Sequence, residues 1–211
     1  MTPAAEQIRV LCVDDHRIVR EGIALIIEQQ PDMTVVGAAA TCAEAIERFR
    51  EHRPDVTLMD LQLGERDGVE AIAAIREDDP GARIVVLTVY VGDEDIHRAL
   101  SAGATTYLYK NTLSDDLIRT IREVYRGERP PMSEEVIGKL REREGLPRIS
   151  PREIQILELI AQGLRDREIA EATGITEQTV HVHVKNILAK LEARDRMGAV
   201  RAALRRGIIH I

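Results

Sequence analysis

Apolar residues in the first 110 positions of the chain occur mainly in short, nearly continuous runs, without regular alternation with polar residues. Strands that are buried on both faces of a parallel sheet have this pattern, because neither face meets water. Each run is four to six residues long, which is typical of a strand. We therefore predict five buried strands. They span residues 8–13, 33–38, 56–60, 84–88 and 106–109.

Stretches with helical character separate these strands. The first helix has to stop at Pro31, and the second begins at a capping box formed by Thr41 and Glu44. Strand and helix alternate five times, so the sequence predicts a doubly wound α/β domain of about 120 residues with a parallel five-stranded sheet. The predicted helices are residues 18–30, a helix that opens at Thr41, and residues 69–77, 94–101 and 114–126.

The C-terminal part of the chain is helical from Ser150 onward. Ser150 is followed by Pro151 and Glu153, which together form a complete signal for the start of a helix. Four short helices separated by glycine-marked turns predict a small all-α domain that contains a helix-turn-helix. These helices run from Ser150 to Gly163, over residues 167–173, from Thr176 to about residue 192, and over residues 196–206.

The stretch between the two predicted domains differs from both of them. Gly127 ends the fifth helix, and Pro130-Pro131 prevents its continuation. Ser133 is a candidate cap for a short charged helix that extends to Glu142. We therefore predict a first domain at residues 1–127, a partly helical linker at residues 128–147 and a second domain at residues 148–211.

The net charge of −7 is unevenly distributed along the 211 residues. Residues 147–211 carry 11 Lys and Arg against 8 Asp and Glu, whereas residues 1–146 carry 18 against 28. Such asymmetry indicates two domains with different partners. The small positive excess in the C-terminal part permits nucleic-acid binding but does not prove it.

Three features predict a cytoplasmic protein without a membrane partner. No apolar run approaches the ~18 residues that a membrane helix needs. Residues 1–6 lack the basic region and apolar core of a secretory signal. Cys12 and Cys42 are not spaced as metal ligands and stand among apolar residues, which is typical of buried thiols in a reducing compartment.

Polar side chains stand at the carboxyl ends of the predicted strands, where open parallel sheets bind their ligands. The first strand ends in Asp14-Asp15, the third in Asp60, the fourth in Thr88 and the fifth in Lys110. Taken singly, each has an ordinary explanation, such as a helix cap, a β-former or a surface lysine. As a set, the carboxylates suit Mg²⁺, and the hydroxyl and ammonium donors suit a phosphoryl group. The set predicts phosphoryl transfer onto a carboxylate.

These residues and the motifs around them resemble the receiver domain of bacterial two-component response regulators over about residues 7–127. The motifs are Asp14-Asp15, Leu-Met-Asp60, Leu-Thr88 and Tyr-Leu-Tyr-Lys110. The resemblance implies a flavodoxin-like fold and phosphorylation of Asp60 by a sensor histidine kinase.

The resemblance also assigns roles around Asp60. Asp15, Asp60 and the backbone carbonyl of Gln62 would ligate Mg²⁺, and Asp14 would help through water. Thr88 and Lys110 would bind the phosphoryl oxygens. Tyr107 would be the aromatic partner of Thr88 in the activation switch, although a strand tyrosine packed on the domain is equally compatible with the sequence.

One position departs from the receiver pattern. Receivers usually carry a proline four residues after the phosphoacceptor, where this chain has Gly64. Glycine is expected to loosen the loop that presents the carbonyl of Gln62. Metal affinity and the lifetime of the phosphoryl group are therefore open at this point.

The second domain is similar to the LuxR-type helix-turn-helix over nearly its whole length, including the motifs Glu168-Ile-Ala170, Gly174-Ile-Thr176 and Thr179-Val180. An apolar face at helical spacing forms the predicted core: Ile169, Ala170, Ile175, Val180, Val184 and Leu188. The resemblance implies that the helix over residues 177–192 reads DNA. Implied base contacts are His181, Val182 and Lys185; candidate phosphate or positioning contacts are Thr179, Asn186 and Lys190.

The roles of His181, His183 and the last helix are not decided by the sequence. Relatives often have lysine in place of His181, so His181 is either a DNA contact sensitive to pH or an ordinary exposed histidine. For His183 we favour an ordinary half-packed side chain. In the last helix, Met197, Val200, Ala203 and Leu204 form either a dimer face or core, and Arg205-Arg206 is either a solvated end or a phosphate contact.

We therefore interpret the chain as a response-regulator transcription factor. Mg²⁺-dependent phosphorylation of Asp60 would control homodimerisation and sequence-specific binding to double-stranded DNA. No separate substrate is expected, because a receiver promotes only its own phosphoryl transfer and dephosphorylation.

Two other functions are considered. A constitutive DNA-binding protein with a silent receiver is disfavoured by the complete set of acids, Thr88 and Lys110. A Mg²⁺-dependent phosphatase with an aspartyl phosphate is disfavoured because Gln62 stands where such enzymes usually have a second acid.

Overall fold

The computed structural model describes residues 7–64, 66–89 and 92–210, and Arg66 is described for its backbone alone. A parallel five-stranded sheet forms the centre of the N-terminal part, with the strand order β2-β1-β3-β6-β7. The strands of this sheet are β1 (Ile8–Val13), β2 (Met33–Ala39), β3 (Val56–Met59), β6 (Ile84–Thr88) and β7 (Thr106–Tyr109). The helices that accompany it are α1 (Arg17–Glu28), α2 (Cys42–His52), α3 (Gly68–Asp78), α4 (Asp93–Ser101) and α5 (Ser114–Tyr125).

The predicted fold class is confirmed, and the five strands fall where the apolar runs predicted them. Every residue of β3 and β6 is buried, which explains why these runs show no alternation. The third strand ends at Met59, so Asp60 lies just beyond it. Helix α1 ends at Glu28, two residues before the predicted end. Gln30, which precedes Pro31, is disfavoured in the helical conformation.

A two-stranded antiparallel hairpin follows Asp60 and was not predicted. It joins β4 (Gln62–Leu63) to β5 (Arg66–Asp67), and Gln62 is paired with Asp67. Gly64 in its turn has φ of 69°, a left-handed conformation that glycine adopts without strain. Strands of two residues are too short to show any periodicity, so hydrophobic patterning carries no signal for this hairpin.

Side-chain caps fix the start of two helices in this domain. The Thr41 hydroxyl accepts a hydrogen bond of 3.2 Å from the backbone N–H of Glu44, as expected at the start of α2. The Glu44 carboxylate does not return the bond to Thr41; it accepts the N–H of Ala40 at 2.8 Å. Asp67 caps α3 by accepting from the N–H of Val69 at 2.9 Å. The hairpin after Asp60 therefore leads directly into a capped helix.

The C-terminal part is all helical, as predicted. Its capping box is complete: Ser150 and Glu153 each accept from the other's backbone N–H. Gly174 and Gly207, both with φ of 68°, end two of the helices. The helices are α7 (Pro151–Ala161), α8 (Asp166–Thr173), α9 (Glu177–Lys190) and α10 (Arg196–Arg206), preceded by α6 (Glu134–Arg143).

An apolar core holds these helices together. Ile156 of α7, Ile169 of α8 and Val180 of α9 are fully buried, and so is Ala203 of α10. Leu188, which was predicted as core, is only partly buried, and its neighbour Ile187 is fully buried. A helix of 3.6 residues per turn presents residues 180, 184 and 187 to one side, so position 188 lies at the edge of that face.

The described residues divide into two compact units. Residues 7–89 and 97–137 form one unit, and residues 92–96 and 138–210 form the other. This division runs through α6, inside the stretch predicted as a linker, and the predicted boundaries at 127 and 148 stay a prediction. Among the described helices, none combines the length and the apolar character needed to span a bilayer.

Candidate functional site

Two buried carboxylates lie next to each other at the carboxyl edge of the sheet. Asp14 follows β1 and Asp60 follows β3, and the last paired residues of these neighbouring strands are Val13 and Met59. The backbone N–H of Asp60 donates to the carbonyl of Val13 at 2.9 Å. Asp14 is 2% exposed and Asp60 is 3% exposed. Carboxylates this deeply buried need donors or cations around them.

Lys110 supplies a positive charge to both carboxylates. Its Nζ lies 2.6 Å from Asp14 Oδ2 and 2.6 Å from Asp60 Oδ2. The sheet places it there, because the backbone N–H of Lys110 donates to the carbonyl of Thr88 at the end of β6. Burial lowers the pKa of Lys110, but the bonds to the two carboxylates outweigh this and hold the pKa above its ordinary value. Lys110 is therefore a fixed cation in the site.

The two oxygens of Asp60 have different environments. Oδ1 accepts the backbone N–H of Leu61 at 2.8 Å, and Oδ2 accepts from Lys110 at 2.6 Å. Burial raises the pKa of Asp60 above its ordinary value, hydrogen bonds from Lys110 and Thr88 act in the opposite direction, and the charge of Asp14 adds to the rise. Asp60 is thus a buried carboxylate held by donors, an arrangement suited to an oxygen nucleophile.

Asp15 and His16 complete a cluster that has the composition of a metal site. One possible ligand atom from each of Asp14, Asp15, His16 and Asp60 lies within 4.8 Å of all the others. Asp15 Oδ1 is buried and, within the described part of the chain, has no hydrogen-bond partner. Three carboxylates form a hard oxygen donor set of the kind that Mg²⁺ requires. The cluster therefore fits the predicted ion through Asp14, Asp15 and Asp60.

Backbone hydrogen bonds and an ion pair hold the loop after Asp60. The backbone N–H of Gly68 donates to the carbonyl of Leu61 at 2.6 Å, and the β4–β5 ladder closes the loop beyond it. A Cβ atom on Gly68 would lie 2.1 Å from the carbonyl oxygen of Asp60, so only glycine fits there. Arg98 of α4 adds an ion pair to Asp67. Gly64 serves as the turn residue of this hairpin, and the Gln62 carbonyl as a metal ligand stays a prediction.

Thr88 and Tyr107 are both completely buried. In the β6–β7 ladder, the residue opposite Thr88 is Tyr109, and the residue opposite Tyr107 is Val86. The rings of Tyr107 and Tyr109 make an edge-to-face contact with centroids 5.9 Å apart. Side chains two residues apart on a strand lie on the same face, so Thr88 and Tyr107 share a face of the sheet. Their predicted coupling in a switch is compatible with this placement and stays a prediction.

Helix α9 has one buried face and one exposed face. Val180, Val184 and Ile187 face the core. Four of the predicted DNA contacts are exposed on the other face, and the side chain of Val182 is 51% exposed. A single exposed valine is ordinary on a protein surface, and its methyl groups could contact a thymine methyl group in a major groove. The exposed predicted contacts are His181, Val182, Lys185 and Asn186.

Two other predicted DNA contacts have partners inside the domain. Lys190 Nζ lies 2.6 Å from the Oε2 atom of Glu153, which is 3% exposed. The Thr179 hydroxyl lies 2.8 Å from the hydroxyl of Thr176, the cap of α9. The sequence gives no sign of the bond between Lys190 and Glu153, because 37 residues separate them. Both assignments to DNA stay predictions, and the structure gives Lys190 a different partner.

The apolar residues of α10 were predicted to form either core or a dimer face, and they differ in their exposure. Val200 is 3% exposed and Ala203 is fully buried, so both belong to the core. Met197 is 55% exposed and Leu204 is 37% exposed. Arg205 is exposed, and His183 on α9 is half-buried.

His16 was missed when the sequence was analysed. Its position directly after Asp14-Asp15 was an available signal, since imidazole is a common metal ligand. The acids Asp14 and Asp15 were assigned to the end of the first strand, and the adjacent His16 was not considered. The bond between Lys190 and Glu153 was also missed, and no sequence pattern would have revealed it.

Two family models match the chain. The model of the response regulator receiver domain matches residues 10–122. The model of bacterial regulatory proteins of the luxR family matches residues 147–203. Each match contains one of the two sites described above.

Relatives with curated names match almost the whole chain. Response regulator protein VraR of Staphylococcus saprophyticus is 42% identical over 207 residues, which cover 96% of this chain and 99% of the relative. The protein of the same name from Staphylococcus aureus has the same identity and coverage.

Solved structures of response regulators are also similar to this chain. A two-component response regulator of the LuxR family from Aurantimonas sp. is 37% identical with a TM-score of 0.61, covering 66% of this chain and all but 1% of that one. Response regulator ChrA of a heme-sensing two-component system is 33% identical with a TM-score of 0.57, over 96% of this chain and 99% of ChrA. RcsB in a complex with DNA is 25% identical with a TM-score of 0.66, and the match covers 95% of this chain and 99% of RcsB.

Proposed function

The chain belongs to the response regulators that regulate transcription through a LuxR-type DNA-binding domain, and from this premise we propose that Asp60 accepts a phosphoryl group from a sensor histidine kinase. The modified receiver controls homodimerisation and sequence-specific binding of the second domain to double-stranded DNA. The observation that carries this proposal is the buried Asp60 carboxylate with Lys110 Nζ at 2.6 Å.

In the proposed reaction, a carboxylate oxygen of Asp60 attacks the phosphorus atom of a phosphohistidine. The new bond is a mixed anhydride, and the P–N bond breaks with its electron pair going to the imidazole nitrogen. Lys110 neutralises a phosphoryl oxygen as charge enters the site, and the hydroxyl of Thr88 donates to another. Positioning and charge stabilisation of this kind make up most of the catalysis of phosphoryl transfer.

Mg²⁺ is the proposed cofactor, held by Asp14, Asp15 and Asp60 and by the carbonyl of Gln62. When bound, it supplies positive charge that offsets the carboxylates and the incoming phosphoryl oxygens. The buried Oδ1 of Asp15, which has no hydrogen-bond partner among the described residues, supports this assignment. The hairpin from Gln62 to Asp67 supports it as well, because it fixes the backbone from which the carbonyl would coordinate.

The proposed DNA contacts lie on the exposed face of α9. His181, Val182 and Lys185 are assigned to base edges, and Asn186 to phosphate or positioning. RcsB, a protein of similar structure, has been solved bound to DNA, in one case as dimers, which supports this proposal. The exposed side chains of Met197 and Leu204 on α10 are compatible with a dimer contact.

We assign no turnover of a separate substrate to the protein. A phosphatase using an aspartyl phosphate needs an acid near the nucleophile to protonate the leaving group. The residue two positions after Asp60 is Gln62, whose amide cannot play that part. Steady release of phosphate from a phosphate ester in excess over protein would contradict this assignment. The proposed site of action is the cytoplasm.

The phosphoacceptor is tested by labelling the full chain with a small phosphodonor in the presence of Mg²⁺. Wild type should take up close to one phosphoryl group per chain, and Asp60→Asn should take up none. Asp115→Asn is the matched control, because Asp115 is an exposed acid on α5. Uptake by Asp60→Asn at the wild-type level would show that the acceptor is a different residue.

The DNA-binding part is tested by selecting bound fragments from random DNA, with and without phosphorylation. Phosphorylated protein should enrich a paired sequence motif, because two copies of one domain read two half-sites. Lys185→Ala should bind the selected site more weakly, and Lys139→Ala on α6 is the control, because it removes a partly exposed lysine outside α9. Equal enrichment from both protein forms would contradict control by phosphorylation.

A further inference from the structure

His16 is an exposed residue, yet its imidazole lies against Asp14 and Asp15 of the acidic cluster. Its Nδ1 atom is 2.6 Å from Asp15 Oδ1 and 3.5 Å from Asp14 Oδ1. The imidazole is 66% exposed, so apolar packing does not hold it in this orientation. The contact with Asp15 also lacks the geometry of a hydrogen bond, since Asp15 Oδ1 has no such partner within the described residues. The interaction that remains is the attraction of the ring to the two carboxylates, which places Nδ1 beside oxygens that a metal ion would also bind.

The backbone around His16 fixes its position relative to Asp14. The N–H of His16 donates to Asp14 Oδ1 at 2.9 Å, which folds the chain back onto the carboxylate. His16 is also the N-cap residue of α1, with extended φ and ψ of −84° and 109°, and its side chain makes no capping bond. Neither imidazole nitrogen is therefore used to stabilise the helix. Arg20 Nη1 donates to the carbonyl of Asp14 and holds the same loop from the other side.

We propose that His16 is a direct metal ligand of the receiver site, adding an imidazole nitrogen to the oxygen donors of Asp14, Asp15 and Asp60. This inference rests on the proposed function, since it requires the same metal site. The ligand atoms of the four residues lie within 4.8 Å of one another. Opposite ligands around an octahedral ion with bonds of about 2.1 Å are about 4.2 Å apart, so small side-chain adjustments bring all four within reach.

A nitrogen donor changes which ion the site prefers. Sites of carboxylate and carbonyl oxygens suit Mg²⁺, whereas imidazole suits first-row transition metals. Addition of His16 therefore predicts a site that still accepts Mg²⁺ but favours Mn²⁺ beyond what the carboxylates alone would give. His16 would therefore set how strongly the site prefers Mn²⁺ over Mg²⁺.

The test uses Mn²⁺ as the probe with the full-length chain. Electron spin echo envelope modulation detects ¹⁴N coupled to bound Mn²⁺, so a directly bound imidazole has its own spectroscopic signature. We expect this modulation in wild type and its loss in His16→Ala. The matched control is His52→Ala, because His52 lies at the end of α2, outside the cluster, and its loss should leave the modulation intact.

Metal affinities provide the second measurement. His16→Ala should weaken Mn²⁺ binding by about tenfold and Mg²⁺ binding, measured by competition, by less than about threefold. The backbone bond from residue 16 to Asp14 remains in this variant, so the loop keeps its main constraint.

The outcomes separate the two proposals. Bound Mn²⁺ without ¹⁴N modulation in wild type would overturn the role of His16 and leave the metal site standing. An equal loss of Mn²⁺ and Mg²⁺ affinity in His16→Ala would also overturn it, since that result describes a positioning residue. Absence of stoichiometric Mn²⁺ and Mg²⁺ binding in wild type would contradict the proposed metal site itself.

Discussion

Replacement of Lys190 by methionine tests whether this residue stabilises the C-terminal domain or binds DNA. Glu153 is 3% exposed and accepts three hydrogen bonds: from the Ser150 N–H at 2.7 Å, the Ser150 hydroxyl at 2.8 Å and Lys190 Nζ at 2.6 Å. Lys190→Met removes the only one of these three donors that carries a charge. The hydrophobic stem of methionine preserves much of the packing of the lysine side chain.

The magnitude follows from the burial of the two partners. A hydrogen bond to a charged group contributes about 1.5–3 kcal/mol. The Lys190 side chain is 31% exposed, which weakens the interaction by solvent screening, so we expect a loss of about 1–2 kcal/mol. Hydrogen exchange of amides in α7 and α9 of the full chain should therefore become about 5- to 30-fold faster.

The pH dependence gives a second signature. Burial raises the pKa of Glu153, but bonds from Lys190 and Ser150 outweigh it and hold the pKa below its ordinary value. A lowered carboxylate pKa contributes stability that is present above the unfolded-state pKa and is lost as pH falls through the folded-state pKa. The difference in stability between wild type and Lys190→Met should therefore be full at neutral pH and shrink in acid.

Lys185→Met is the reciprocal control, because Lys185 is exposed on the same helix. As a proposed base contact, it should weaken binding to the selected DNA site by about 1–3 kcal/mol while exchange in α7 stays unchanged. The stabilising role of Lys190 would be refuted if Lys190→Met reduced the salt slope of DNA binding by about 1 and left exchange in α7 and α9 unaltered. Lys190 would then be a phosphate contact, as the sequence predicted.

Three further predictions concern the receiver. Gly64→Pro should destabilise the domain by about 1–3 kcal/mol in denaturant unfolding, because proline cannot adopt a φ of 69°, whereas Gly64→Asn should cost less; equal stability of Gly64→Pro and wild type would contradict the turn. Lys110→Met should raise the pKa of Asp60 further, since Lys110 acts to lower it, and an NMR titration that finds a lower pKa would contradict this. Burial, helped by Asp14, raises the pKa of Cys12 to about 12, so iodoacetamide at pH 8 should alkylate this thiol only after unfolding; rapid alkylation of the folded protein would show that it is accessible.

The sequence was sufficient for the receiver fold because its determinants are local. The five runs of apolar residues mark strands that are buried on both faces, and this pattern does not depend on which strands are neighbours. The rule that parallel sheets bind ligands at the carboxyl ends of their strands then brought Asp14, Asp60 and Lys110 together in the prediction. The structure places Lys110 Nζ at 2.6 Å from both carboxylates.

The caps of the helices were also predicted from short-range patterns. Ser150 and Glu153 form their capping box within three residues, so the sequence specifies it directly. The hairpin between Gln62 and Asp67 was not predicted, and it places Gly64 in a turn with a positive φ. The expected effect of this glycine on metal binding stays a prediction.

By itself, the sequence determined the alternation of strands and helices, the set of polar residues at the strand ends and the helix that carries the proposed DNA contacts. Only the tertiary structure decided that Lys190 pairs with Glu153 and that the ring of His16 turns toward Asp15. The physical reason is the range of the interactions. Periodicity and capping act over a few residues, but the partner of a charged side chain depends on packing between elements and, for a residue like His16, on rotation about its own side-chain bonds.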